Sequence, residues 1–356
     1  MKRMQSVQRK EDQSMTIASL IRQIPAPDTL AQQEAEKRWD SLAKLPGSLG
    51  ALEWAVIRLA GIQHTAHPTL TKKRTLVFCA DNGVLEEQVS PSAQSVTAAQ
   101  AVNFARGGGT INVFSRAAGA DVVVIDVGIA CPYDEPRVVK RKIRPGTANM
   151  THGPAMTREE CERAILCGAQ FALDAAADGV RLLILGEMGI GNTTTSSAVS
   201  AVLLQRPAEQ TVSRGAGSAE RMAHKASVIR RAIDGNRPNP KDPIDVLSKV
   251  GGLDLAALCG AFLGAAAAGI AAVVDGVSAG AAALCAVRLA PAVQAYLLPS
   301  HCSAEPSARM QLDALDLQPL LSAGMCLGEG TGAALAAGLF DRALEAYEQV
   351  VGIDEI

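Results

Sequence analysis

The sequence predicts an α/β protein built on a doubly wound, mostly parallel sheet, and two observations carry that expectation. Short β-branched or apolar runs at 75–78, 122–127, 181–185, 270–274 and 295–298 alternate with helical stretches, the rhythm of parallel strands joined by crossover helices. The run Val122-Val123-Val124-Ile125 is apolar at every position. That suits a strand covered on both faces, whereas a one-sided sheet would alternate with polar residues.

Taken in order, residues 1–15 are polar and charged, include Lys2, Arg3, Arg9, Lys10, Glu11 and Asp12, and lack the apolar core of a secretory signal. They read as a disordered extension. Helices are expected at 17–24, 29–43 and 51–62, broken at Pro25-Ala26-Pro27 and Pro46-Gly47-Ser48. Residues 255–274 carry no charge and are long enough to span a bilayer. Ala and Gly dominate them, however, and Asp254 and Asp275 bracket the run without flanking Lys or Arg. A helix over 255–268, a stop at Gly269 and a buried strand over 270–274 explain the composition without lipid. A last helix covers 333–350. The simplest organisation is a small helical domain from 16–66 plus 333–356 and a sheet domain over 67–332.

The 356 residues are 48% hydrophobic with a formal net charge of -2. That allows a sizeable core and gives no basic field for nucleic acid, so a small-molecule partner is expected. Eight cysteines are scattered without a Cys-x-x-Cys pair, which fits a reducing cytoplasm. The five histidines form no zinc motif, and His64 and His67 read as surface residues.

Ligands of open parallel sheets bind beyond the carboxyl ends of the strands, and four strand runs end at an acid: Asp81, Asp126, Glu187 and Asp275. Each fits a site carboxylate or an acceptor of loop hydrogen bonds. The run Gly186-Glu187-Met188-Gly189-Ile190-Gly191-Asn192-Thr193-Thr194 passes from a strand through a glycine turn into a helix beginning near Asn192. Free N–H groups at a helix start bind phosphate, and glycines let an anion approach; a turn that merely packs closely fits the pattern too. It is not a Walker loop, because no Lys-Ser or Lys-Thr follows its last glycine. Arg214-Gly215-Ala216-Gly217 precedes a helix carrying Lys225 and could add charge to the same phosphate. Arg106-Gly107-Gly108-Gly109-Thr110 reads as a helix-to-helix connection with Thr110 as N-cap. Finally, Leu327-Gly328-Glu329-Gly330-Thr331-Gly332-Ala333 sets one carboxylate among glycines. A solvated loop acid and a partly desolvated base fit that pattern equally.

Seven segments in this order resemble one known family over roughly 17–347: PGSLG (46–50), CADNGV (79–84), 126–129, GEMGIGNTT (186–194), DVLSKVGGLDL (245–255), SHCSAEP (300–306) and LGEGTGA (327–333). The family is nicotinate-nucleotide:dimethylbenzimidazole phosphoribosyltransferase, of cobalamin biosynthesis. The resemblance implies a Rossmann-like large domain, a small helical domain from both chain ends, and a homodimer or a heterodimer with a paralogue. It also implies transfer of 5-phosphoribose from nicotinate mononucleotide to 5,6-dimethylbenzimidazole, giving nicotinate and α-ribazole 5′-phosphate.

On that basis Glu329 matches the catalytic base and Glu187 a second acid that stabilises or holds the ribose. Gly189, Ile190, Gly191, Asn192, Gly215 and Lys225 are expected at the phosphate and ribose, and Ser92, Gln100, Asn82 and Leu327 at the base. No cofactor or metal is expected, because expelling a pyridinium ring neutralises charge without help. Asn82 departs from the family, which usually has His there, and leaves the choice among benzimidazoles, purines and phenols open. Two rivals are a catalytically silent partner of the same fold, against which Glu329 argues, and a nucleotide-dependent oxidoreductase. The latter needs Gly-x-Gly-x-x-Gly after the first strand, where this chain has Asp81-Asn82-Gly83.

Overall fold

The computed structural model describes residues 15–214 and 219–356. Three helices, α1 (Ile17–Ile21), α2 (Thr29–Ser41) and α3 (Ala51–Gln63), lead to strand β1 (Lys73–Ala80). Helices α4 (Ser95–Ala105) and α5 (Thr110–Ala117) connect β1 to β2 (Ala120–Gly128); β3 (Val139–Lys140), α6 (Arg158–Ala177) and β4 (Leu182–Met188) follow. Then come α7 (Asn192–Leu204), α8 (Ala208–Thr211), α9 (Ala219–Asn236), α10 (Pro243–Val250) and α11 (Leu253–Ala267). The chain ends with β5 (Ala271–Val274), α12 (Val277–Leu289), β6 (Leu297–Pro299), α13 (Ala308–Ala314) and α14 (Thr331–Gln349).

Among the described residues the strands form one six-stranded sheet in the order β3-β2-β1-β4-β5-β6, and every pairing is parallel. The chain winds outward from β1 through β2 to β3, then starts again on the other side of β1 as β4. This is the expected doubly wound, Rossmann-like sheet, and its reversal opens a crevice at the carboxyl ends of β1 and β4. β1 and β4 each bury six consecutive residues. Since alternate side chains point to opposite faces, both faces are covered.

The uncharged run near 255–274 resolves as α11, a stop at Gly269 with φ of 67°, and β5. Its small residues serve helix packing. A Cβ at Gly168 of α6 would collide with the Ala257 carbonyl, and one at Gly260 of α11 with the Ile165 carbonyl. The two backbones therefore touch, which larger side chains would forbid. Among the described residues no helix is long and apolar enough to cross a membrane. Helix α14 packs on α3, α5, β4 and β5, so the last helix is fixed against the strand that carries Glu187.

Several expectations shift. The first helix stops at Ile21, ahead of Pro25, which forces its predecessor out of helical geometry. Helix α5 is capped at Gly109, whose N–H donates to Asn112 Oδ1 at 3.0 Å, so Thr110 is its first residue rather than its cap. The two-residue β3 was not expected. Residues 1–14 of the expected extension lie outside the described residues, as does Gly215, while Met15 packs against the core.

Candidate active site

At the carboxyl end of the sheet a cleft of about 580 Å³ gathers residues that follow β1, β4, β5 and β6. Ten of the sequence-expected residues line it: Ser92, Gln100, Glu187, Gly189, Ile190, Gly191, Asn192, Lys225, Leu327 and Glu329. His301, Ser303, Glu305, Arg214 and Ser278 also line it.

One end is built by the turn between β4 and α7. A Cβ at Gly189 would collide with the Ala80 carbonyl, and Gly191 has φ of 95°, so both positions require glycine. No side chain caps α7, which leaves its N-terminus facing the cleft with partial positive charge. The turn's N–H groups are not equivalent. Ile190 N–H donates backwards to Thr97 Oγ1 at 3.1 Å, so it braces the turn against α4. Lys225 adds a charge beside the turn: its Nζ donates to Thr193 Oγ1 at 3.0 Å and to the Ser213 carbonyl at 2.8 Å. Burial, with help from Arg221, pulls Lys225 down to about 8, although Glu305 opposes the shift.

Two carboxylates, Glu187 and Glu329, line the cleft, and two buried ones, Asp254 and Asp275, stand behind them. Asn192 Nδ2 donates to Glu187 Oε2 and, at 3.3 Å, to Asp254 Oδ2. Burial first, then the charges of Asp254, Asp275 and Glu329, push Glu187 up to about 8. Burial likewise raises Asp254 to about 6, against hydrogen bonds from Leu255 N–H and Asn192. Glu187 and Asp254 therefore resist ionising together.

Glu329 projects from three successive residues in the left-handed region, with φ of 82°, 63° and 88° at Gly328, Glu329 and Gly330. That geometry costs a non-glycine residue roughly 1 kcal/mol, so the surroundings must hold it. Asp275, at the end of β5, accepts from Gly330 N–H at 3.1 Å and from Ala333 N–H at 2.9 Å. Thr331 donates from N–H and hydroxyl to the Gly328 carbonyl at 3.0 and 2.7 Å. Gly186 of β4 lies so close beneath that a Cβ would collide with the Glu329 carbonyl. Glu329 is 8% exposed, and burial first, then the Asp275 charge, raises it to about 7. A carboxyl with that value exchanges protons readily near neutrality.

The lining also includes Ser92, Val96 and Gln100, which follow β1, and Leu327, 55% exposed, from the Glu329 loop. Asn82 is not part of it. It is 1% exposed behind the β4–α7 turn, its Cβ 3.3 Å from where a Gly191 Cβ would sit and its Oδ1 accepting from Thr195 Oγ1 at 3.4 Å. Asp81 and Asp126 are also set back from the cleft. Asp81 Oδ2 accepts from Ala130 N–H, and Asp126 from Gly128 and Ile129 N–H and the Tyr133 hydroxyl. Of the four strand-end acids, two thus hold loops, Asp275 holds the Glu329 loop, and Glu187 lines the cleft. Asp254 and Asp275 are the buried supporting residues that sequence reasoning left out of the site. The DVLSKVGGLDL segment contains the first, and the strand-end rule had flagged the second.

With this geometry in place, comparison with known proteins is informative. A family profile described as phosphoribosyltransferase matches residues 24–355. The chain is 47% identical to the nicotinate-nucleotide–dimethylbenzimidazole phosphoribosyltransferase of Ruminiclostridium cellulolyticum, over 94% of this chain and 96% of that one. It is 42% identical to the Escherichia coli protein of the same name, over 94% of each. The crystal structure of CobT from Thermus thermophilus superposes with a TM-score of 0.87 at 43% identity, covering 92% of this chain and 98% of that one. The chain therefore belongs to the nicotinate-nucleotide–dimethylbenzimidazole phosphoribosyltransferase family.

Proposed function

We propose that the chain transfers the 5-phosphoribosyl group of nicotinate mononucleotide to 5,6-dimethylbenzimidazole or a related aromatic base, with Glu329 as general base. The observation that carries this reading is one cleft lined both by the uncapped α7 N-terminus with Lys225 and by a carboxyl poised near 7. The first pair suits a phosphate, the second a ring nitrogen that must lose a proton.

In the reaction, one imidazole nitrogen of the base attacks ribose C1′ from the face opposite nicotinate while Glu329 takes the proton from the other nitrogen. The C1′–nicotinate bond breaks, and its electron pair neutralises the pyridinium. Attack from the opposite face inverts β to α. Gly189 and Gly191 let the 5′-phosphate approach the start of α7, and Lys225 supplies a point charge. Ser92, Gln100 and Leu327 hold the base. Glu187, raised to about 8, is neutral at pH 7; it then offers a hydrogen-bond donor to a ribose oxygen more readily than a negative charge to the sugar.

Purified protein should release nicotinate from nicotinate mononucleotide only when a base is supplied, and mass analysis should find that base joined to ribose 5-phosphate. A panel of benzimidazoles, adenine and phenols identifies the acceptor. Nicotinate release without base, or none with any of them, contradicts the reading.

A further inference from the structure

The SHCSAEP segment carries a cleft residue so far without a role, His301. Its side chain is 3% exposed and wedged between two helix starts. A Cβ at Gly332, in the first turn of α14, would collide with Nδ1 and Cε1; one at Gly276, which caps α12, would lie 3.9 Å from Nε2. The ring is thus fixed in orientation by two glycines that leave it room.

Ser300 fixes its tautomer. The Ser300 hydroxyl donates its one proton to the Val274 carbonyl, 2.6 Å away. At its 3.1 Å contact with His301 Nδ1 it can then only accept, so the ring nitrogen is the donor. In the tautomer with its proton on Nδ1, the ring presents the lone pair of Nε2. No hydrogen bond among the described residues uses that nitrogen.

His301 lines the cleft, and its two glycine neighbours indicate which part of a bound nucleotide it would meet. Gly276 opens α12, whose Ser278 is bonded to Ser196 of α7 at 2.9 Å, on the phosphate side. Gly332 follows Glu329 by three residues, on the side of the attacking base. Between a phosphate and a base lies a ribose. The phosphate and the ring carboxylate of nicotinate mononucleotide are acceptors, and its ribose hydroxyls are the donors that an imidazole lone pair can receive.

We propose that His301 Nε2 accepts a hydrogen bond from a ribose hydroxyl of the donor nucleotide, making His301 a specificity-determining residue that selects ribosyl over deoxyribosyl donors. The inference rests on the reaction proposed above. It is tested by measuring kcat/KM for nicotinate mononucleotide and its 2′-deoxy and 3′-deoxy analogues with wild type, His301→Phe, His301→Leu and His301→Gln. Phe and Leu remove the acceptor, and Phe keeps the ring between the glycines. Gln returns an oxygen near the place of Nε2.

Wild type should prefer the ribonucleotide over one deoxy analogue by about tenfold, the worth of one hydrogen bond. That preference should fall to about twofold or less in the Phe and Leu variants and recover in part with Gln. Comparing ratios cancels the different intrinsic reactivity of the deoxy donors. An equal loss on all three donors, or an unchanged preference, overturns the proposal and leaves the ring a packing role. Base-dependent nicotinate release by the wild type is read in the same assay. Its absence overturns the underlying reaction, whereas its presence without coupling to His301 overturns this inference alone.

Discussion

Two glycine turns open two helices onto the same cleft, and the chain uses them in opposite ways. Residues 186–194 lead into α7, whose N-terminus no side chain caps and beside which Lys225 is buried. Residues 327–333 lead into α14, whose first amides are already taken by the Asp275 carboxylate. In the first turn no side chain occupies the helix start. The second has that end occupied by Asp275, and burial first, then the Asp275 charge, pushes Glu329 up. A similar local motif thus leaves one helix start without a side-chain cap and the other bound to a carboxylate. The difference comes from one acid on a neighbouring strand.

The comparison predicts that damage to each turn has its own kinetic signature. The largest effect is expected for Glu329→Gln: kcat should fall about 10²- to 10⁴-fold, while nicotinate mononucleotide measured by calorimetry binds within about threefold of wild type. A comparable loss of nucleotide binding would merge the two roles. Next is Lys225→Met, which keeps the packing and removes the charge. Losing a charge-assisted contact should raise KM for the nucleotide roughly 10- to 100-fold with a smaller change in kcat.

A subtler change tests the Asp275 argument. Asp275→Asn removes the charge that is the second cause of the Glu329 shift. The acid limb of the kcat/KM profile should therefore move below its wild-type position, and an upward move would contradict the account. The smallest effect concerns stability. Glu187 is raised from 4.5 to about 8 in the fold, so the folded state holds a proton that the unfolded chain releases. The stability this contributes is intact below pH 4.5 and is lost as pH rises through 8. Glu187→Gln should thus melt higher than wild type at pH 8, by on the order of 2 °C, and level with it near pH 4.

Most of the sheet was legible because buried parallel strands announce themselves as unbroken apolar runs, as in Val122 to Ile125. The strand Val139–Lys140 was not, since two residues carry no period. Both glycine turns were legible for a local reason: Gly189, Gly191, Gly328 and Gly330 stand where backbone geometry or close approach admits nothing larger. What escaped depends on distant partners. Asp275 meets Gly330 across 55 positions, and Asp254 meets Asn192 across 62. Asn82 misled for a related reason. Its neighbours in sequence lead toward the cleft, but its side chain is directed behind the β4–α7 turn, and adjacency along a chain does not fix that direction.

The central claim is that Glu329 is the proton acceptor, tuned near neutrality by burial and by Asp275. The most direct test is the pH dependence of kcat/KM, which reports the free protein, in wild type and in Glu329→Gln. The wild-type rate should rise tenfold per pH unit on its acid side and level off through an apparent pKa of about 7, and the variant should lack that limb. A wild-type profile flat from pH 6 to 8, or a limb that survives unchanged in Glu329→Gln, would contradict it.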